Sequence, residues 1–193
     1  MSRIAVLISG NGSNLQALID SAVTGDLDTE IAVVVSSRPD AYGLERAQQA
    51  GIPVAVRSPS PQGDRTQFDS ELADFVASYE PDLVVLAGWM LILGDSFLDR
   101  FPNSVINLHP AMPGAFPGTN AIERAHAAFH RGEIKGTGVM VHRVVAEVDA
   151  GPPVVIEPVP IFKDESIAEL EERIHLVEHN LIVAAVDLLL SNP

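Results

Sequence analysis

The sequence predicts an α/β protein, a mostly parallel twisted sheet with helices packed on both faces, in a single domain over residues 1–193. Three observations carry this. Apolar residues make up 47% of the chain and aromatics only 5%, with the weight on Val, Ile, Leu and Ala, the usage of strands buried on both faces. Short β-branched runs alternate along the chain with longer stretches of helical period. A chain of 193 residues also suffices for one sizeable core without forcing a split.

The first run, Arg3 to Ser9, stops at Gly10-Asn11-Gly12, where a helix opens with Leu15, Leu18, Ile19 and Ala22 on one face. Ser13 and Gln16 have the spacing of a capping box. Two readings of this strand, glycine turn and helix stand open. It is an ordinary tight turn, or it is an anion cradle in which glycines admit a phosphate to free N–H groups at Gly12, Ser13 and Asn14. On the cradle reading, Gly12→Val blocks the anion and leaves the fold intact. Ile31 to Ser36 is the second strand, Tyr42 to Ala50 the second helix, stopped by Gly51, and Pro53 to Val56 an edge strand opened by proline. A loop through Pro59 and Gly63 leads to a helix capped by Asp64 and Gln67, with Phe68, Leu72, Phe75, Val76 and Tyr79 as its apolar stripe, ended by Pro81.

Leu83 to Ala87 is the most continuously apolar run and is predicted to be central. Beyond Gly88, Trp89 to Leu93 leave the sheet, either as packing beneath a loop or as the wall of a pocket for a flat ligand. Val105 to Leu108 is the next strand. Asn107 and His109 alternate onto one face, roughly 6 to 7 Å apart at ordinary strand rise. Pro110 then forces the chain out of the sheet where the imidazole emerges. The Pro- and Gly-dense stretch from Ala111 to Gly118 reads as a shaped active-site loop. Ala121 to Arg131 is a helix whose His126 and His130, at i and i+4, are read as surface residues. No third ligand follows with metal spacing, and no metal site is expected. Gly136 to Val144 and Pro153 to Pro158 are strands joined by the Val145 to Pro152 loop, in which Asp149 is a turn former or a partner for His109. Ser166 to Leu190 is a long amphipathic helix with Ile167, Leu170, Ile174, Val177, Leu181 and Leu188 on its core stripe. Glu171, His175 and Glu178 share a neighbouring face.

A net charge of −14 argues against a nucleic-acid or anionic-membrane surface, and the last 49 residues carry ten acids against two bases. An anionic ligand must therefore be held by local devices such as backbone N–H groups. With no cysteine, disulfides, thiolate catalysis and Cys-type zinc sites are excluded. No signal peptide or membrane span is read in the sequence, and a cytoplasmic protein acting on small molecules, as monomer or homodimer, is expected.

Four segments together carry a specific resemblance: Ile8-Ser9-Gly10-Asn11-Gly12-Ser13-Asn14-Leu15-Gln16-Ala17, Asp82 to Gly88, Asn107-Leu108-His109-Pro110 and Glu147-Val148-Asp149-Ala150-Gly151-Pro152. In order and spacing the chain resembles the phosphoribosylglycinamide formyltransferase family from Arg3 to about Leu190. The resemblance implies a formyltransferase fold, its sheet mostly parallel with the last strand antiparallel. A phosphate-binding half lies at about 1–100 and a folate and catalytic half at about 101–193. It implies transfer of a formyl group from 10-formyltetrahydrofolate, as co-substrate, to the amine of glycinamide ribonucleotide in purine synthesis. It makes Asn107, His109 and Asp149 the catalytic trio, Gly12, Ser13 and Asn14 the phosphate cradle, Glu178 the partner of the ribose hydroxyls and His175 a further polar contact. Arg65, Met90, Leu91, Ile92 and Leu93, with Val144, Val145, Ala146 and Glu147, fall to the folate site. The chain departs from many bacterial members in having Leu91 where they carry an arginine near the folate tail. It also departs in Ala111-Met112-Pro113-Gly114 after the His-Pro pair and in Thr119-Asn120-Ala121 where they carry a histidine-bearing turn.

For the chemistry, Asn107 and a protonated His109 are expected to donate to the oxyanion of a tetrahedral intermediate, with Asp149 raising the imidazole pKa and relaying a proton. Three other readings compete. Formyltetrahydrofolate hydrolase is expected to carry an added N-terminal domain and methionyl-tRNA formyltransferase a C-terminal extension. The third is a non-catalytic nucleotide-binding module of flavodoxin-like architecture.

Overall fold

The computed structural model describes residues 1–191; Asn192 and Pro193, the end of the expected domain, lie outside them. Strands β1 (Ser2–Ile8), β2 (Thr29–Ser36), β3 (Val54–Val56), β4 (Leu83–Leu86) and β5 (Val105–His109) pair in parallel. Strands β6 (Gly136–Arg143) and β7 (Pro153–Pro160) complete the sheet through two antiparallel pairings. The order β3-β2-β1-β4-β5-β6-β7 puts the apolar β4 in the middle and β3 at an edge, as the sequence predicts. The helices are α1 (Ser13–Thr24), α2 (Tyr42–Gln49), α3 (Arg65–Ala77), α4 (Asp95–Leu98), α5 (Ala121–His130) and α6 (Ile167–Ser191).

The two-residue period of β1 divides the core into two layers. Ile4, Val6 and Ile8 pack with Leu15 and Leu18 of α1 and Leu170, Ile174 and Ile182 of α6. Ala5 and Leu7 point the other way, onto Leu72 and Val76 of α3 and Phe97 of α4. Each such side chain, fully buried, stabilises the fold by roughly 1.5–3 kcal/mol.

Three local expectations are corrected. The capping box does not form: Gly12, in the left-handed region at φ 75°, is the N-cap of α1, with no side-chain cap. Gln16 instead donates to Asp20 at 2.8 Å and accepts from Arg46 at 3.1 Å. The short helix α4 is absent from the sequence reading, because four residues are too few to show a period; what holds it is Phe97, buried against Phe101 at 5.1 Å between ring centroids. On α6, Ile167 and Leu188 are exposed, and the buried line runs through Leu170, Ile174, Glu178, Ile182 and Val186. Val177 and Leu181 of the predicted stripe are partly buried and pack beside this line against the same core. By length and composition α6 could cross a membrane, but its apolar face already packs on α1, α5, β6 and β7. The expected cap of α3 does form, with Asp64 accepting from the Thr66 and Gln67 N–H groups at 2.8 and 3.4 Å.

Candidate active site

The strand order reverses direction between β1 and β4, and open α/β sheets bind ligands outside the carboxyl ends of the strands at such a switch point. Three chain exits meet that edge: the glycine turn after β1, Gly88 to Leu93 after β4, and His109 at the end of β5. Ser9 joins the first two, its hydroxyl accepting from the Met90 N–H at 2.9 Å.

Asn107, His109 and Asp149 come together there. The antiparallel register sets Asn107 opposite His142 and carries β6 into the loop that returns Asp149 over β5. The loop is tight: a Cβ at Gly151 would lie 1.7 Å from the Arg143 carbonyl oxygen, so only glycine fits two residues beyond Asp149. Asp149 itself takes a left-handed backbone at φ 54°. Its carboxylate accepts from Asn107 Nδ2 at 3.1 Å through Oδ1 and from the Gly118 N–H at 2.8 Å through Oδ2. His109 Nδ1 lies 3.4 Å from Oδ2, and His142 Nε2 lies 3.4 Å from Oδ1. Burial pushes the Asp149 carboxyl up, but the hydrogen bonds from His142 and Gly118 and the nearby charge of His109 outweigh it and hold the group below the usual carboxylate range.

His142 is the residue that sequence reasoning missed. Its signal was the alternation of β6, which puts Met140 and His142 on one face, but only the register shows that this face meets Asn107. The Arg143 carbonyl accepts from His142 Nδ1 at 2.9 Å, and Nε2 lies 3.2 Å from Asn107 Nδ2. Asn107 Nδ2, His142 Nε2 and Asp149 Oδ1 form a near-equilateral triangle of 3.1, 3.2 and 3.4 Å. The Asn107 amide is therefore within hydrogen-bond reach of the His142 ring and the Asp149 carboxylate at once.

The expectation that Asp149 raises the His109 pKa is corrected. The imidazole is only 4% exposed, and burial pushes it below its ordinary value, outweighing the upward pull of Asp149 and of the Phe116 carbonyl. That carbonyl, 3.1 Å from Nε2, can only accept, so Nε2 carries a proton while Nδ1 faces the carboxylate. The ring thus sits between two acceptors that favour a second proton and a dry wall that opposes it.

These residues line a cleft of about 710 Å³. Met90, Leu91, Ile92 and Leu93 form one wall with Trp89, and Val144, Val145 and Ala146 another; Glu147 does not line it. Met90 and Ile92 are solvent-exposed while Trp89 and Leu93 are buried, so this segment both packs and presents an apolar face. Arg65 does not line the cleft either. It donates to the Ile92 carbonyl and pairs at 3.1 Å with buried Asp69, whose other oxygen accepts from the Gly94 N–H at 2.9 Å. Arg65 and Asp69 together brace the 88–94 segment from behind.

The glycine turn lies on the other side of the switch point. A Cβ at Gly12 would stand 2.6 Å from Gly43 Cα, and one at Gly43 would stand 2.4 Å from Ile8 Cδ1. The two glycines are therefore a contact between the turn and α2, and Gly12→Val would displace α2 rather than leave the fold intact, which corrects that expectation. Arg46, one turn along α2, donates to the Asn11 carbonyl and side chain at 2.9 and 3.0 Å. Asn14 donates to Glu178 at 3.3 Å, and its own carbonyl oxygen is buried without a partner. Glu178 lies in the core stripe of α6, where burial raises its pKa against the opposing pull of His175 and Asn14. His175 is exposed one turn away. His179, which sequence reasoning passed over, lines with Ser13 and Arg46 a second cleft of about 660 Å³, and its Nε2 has no partner. Burial lowers its pKa, and the charges of His175 and Arg46 lower it further; Asp20, Asp26 and Asp187 line the same cleft.

A strand-end imidazole against a buried carboxylate and an amide, beside an apolar cleft and a glycine-turn helix start, defines an α/β group-transfer enzyme. The chain belongs to the formyl transferase family, whose model matches residues 2–186. Within it, the resemblance read from the sequence holds over nearly the whole chain. The phosphoribosylglycinamide formyltransferase of Schizosaccharomyces pombe is 47% identical over 198 residues, covering 96% of each chain. The trifunctional purine biosynthetic protein adenosine-3 of Homo sapiens is 39% identical over 98% of this chain, which spans 18% of that protein. The crystal structure of glycinamide ribonucleotide transformylase 1 from Symbiobacterium toebii superposes with a TM-score of 0.91 at 41% identity, over 97% of this chain and 87% of that one.

Proposed function

We propose that the protein transfers the formyl group of 10-formyltetrahydrofolate to the amine of glycinamide ribonucleotide, with Asn107, His109 and Asp149 as its catalytic residues. The single observation that carries this is the convergence of those three side chains, from separate parts of the chain, on one cleft. The folate lies against Met90 to Leu93 and Val144 to Ala146, with Arg65 bracing its wall and Glu147 at the rim of the loop. The ribonucleotide phosphate sits on the N–H groups of Gly12, Ser13 and Asn14 at the uncapped start of α1, and Glu178 holds the ribose hydroxyls. His175 and His179 add positive charge on protonation. The N-terminal half thus serves the phosphate and the C-terminal half the folate, within one domain.

Attack of the amine on the formyl carbon makes a tetrahedral centre with negative charge on oxygen. The Asn107 amide and the protonated His109 are the donors for that oxyanion, each worth on the order of 3 kcal/mol. The attacking nitrogen loses a proton and the leaving folate nitrogen gains one, and the His109–Asp149 pair carries it between them. His109, held low by burial, takes its second proton as the oxyanion forms beside it. The exchange needs proton movement and charge stabilisation only, so no metal is assigned. Small molecules are its partners; we assign no nucleic-acid or membrane partner, a cytoplasmic location, and a monomer or homodimer.

The test is to incubate the protein with a formyl-folate analogue, with and without glycinamide ribonucleotide, and to follow folate release. Release only with the nucleotide is expected; release without it means hydrolysis, and binding without release means a carrier.

A further inference from the structure

We propose that Arg124 is a positioning residue for the catalytic pair, holding the 116–118 backbone so that its polar groups orient both His109 and Asp149. The inference rests on the catalytic assignment above and on geometry that assignment does not use. Arg124 stands in the first turn of α5, exposed, outside the trio and its hydrogen bonds. Its Nη2 donates to the Phe116 carbonyl at 2.6 Å and to the Pro117 carbonyl at 2.7 Å, and its guanidinium lies 5.9 Å from the Phe116 ring centroid. One planar, always charged fork thus fixes two consecutive peptide units.

Those peptides reach the chemistry directly. The Phe116 oxygen that accepts from Arg124 also accepts from His109 Nε2 at 3.1 Å, and the next N–H, of Gly118, donates to Asp149 Oδ2 at 2.8 Å. One short segment therefore decides which imidazole nitrogen carries the proton and where the carboxylate points. The segment does not hold this shape through its own preferences. Phe116 takes a left-handed backbone at φ 48°, which a residue with a Cβ adopts only when its surroundings impose it. At its start the loop is seated by Met112, whose sulfur fills the space above Gly138 of β6, where a Cβ would lie 2.3 Å from it. At its end the restraint is Arg124. Without the guanidinium, the Phe116 carbonyl is free to turn toward water, and His109 loses the acceptor on Nε2.

The test uses the full chain carrying Arg124→Met, which keeps the length of the side chain and loses the fork, and Arg124→Lys, which keeps the charge. Arg131→Met, at the far end of α5 and paired with Glu133 among the described residues, is the control. The first readout is the titration of the His109 ring by long-range ¹H–¹⁵N NMR without substrate. In Arg124→Met the titration is expected to move to lower pH, since the lost carbonyl contact favours the charged ring, with partial restoration in Arg124→Lys and no change in Arg131→Met. The second is transfer kinetics. A fall of about tenfold or more in kcat with little change in the KM for the ribonucleotide is expected, because small misplacements of reacting groups cost that much. An unchanged His109 titration together with an unchanged kcat overturns the proposal. A shifted titration in a protein that transfers no formyl group keeps Arg124 as the positioning residue and overturns the functional reading instead.

Discussion

Asp149 is the residue on which most of the site turns, because four neighbours address its two oxygens: Asn107, Gly118, His109 and His142. An amide at this position offers one acceptor where the site needs two, and its NH2 would face either the Asn107 amide or the Gly118 N–H, donor against donor. Asp149→Asn is therefore expected to lower kcat by about 10²- to 10⁴-fold. The affinity for glycinamide ribonucleotide should change little, since the proposed phosphate cradle belongs to another part of the chain. Single-turnover rates measured alongside nucleotide titrations separate the two; unchanged turnover removes Asp149 from the chemistry. At this scale Asn107 and His109 were legible locally, because a Pro follows a strand-end His, whereas Asp149 read alone as a turn former or a partner for His109 and joined them only through the family resemblance. His142 and His179 were not legible, since one depends on cross-strand register and the other on how α6 lies against α1. The direction of the His109 pKa was missed for a related reason: a charged partner can be guessed from sequence, but the burial that outweighs it cannot.

The contact between the glycine turn and α2 belongs to the scale of elements. Gly43 donates its N–H to the Gly10 carbonyl at 3.1 Å and leaves no room for a side chain over Ile8 and Gly12. Gly43→Ala is expected to push α2 off the turn, costing roughly 1–3 kcal/mol of stability by overpacking. It should weaken inorganic phosphate binding at the start of α1 while leaving the proposed folate cleft untouched. Denaturant unfolding with phosphate and folate titrations on the same protein checks this; equal loss of both ligands points to global damage instead. Most elements were readable because period and breakers agree along the parallel strands. The exceptions are instructive. The cap of α1 was misread because Ser13 and Gln16 match a capping box while Gln16 is drawn away by Arg46, thirty residues on. The buried line of α6 was misread because it contains a carboxylate, Glu178, which a hydrophobic pattern skips.

The whole molecule should register these groups in its stability against pH. His109 and His179 are held below their ordinary values, so below about pH 6.5 the unfolded chain binds more protons at these sites than the folded one. Stability from them is full above that pH and declines as the pH falls through it. Glu178 acts oppositely: its folded value is raised, so above about pH 4.5 the folded protein holds the extra proton and stability falls as the pH rises. Thermal midpoints of Glu178→Gln are therefore expected to gain on the parent as pH rises from that value, even as nucleotide binding weakens. A constant difference across the range would mean that the buried carboxylate is not what penalises the parent.

Because each oxygen of Asp149 is engaged by groups of the fold itself, the freezing of this side chain is accomplished during folding and is not repeated at every catalytic cycle. Ligands arriving at this corner meet a mould that has already set.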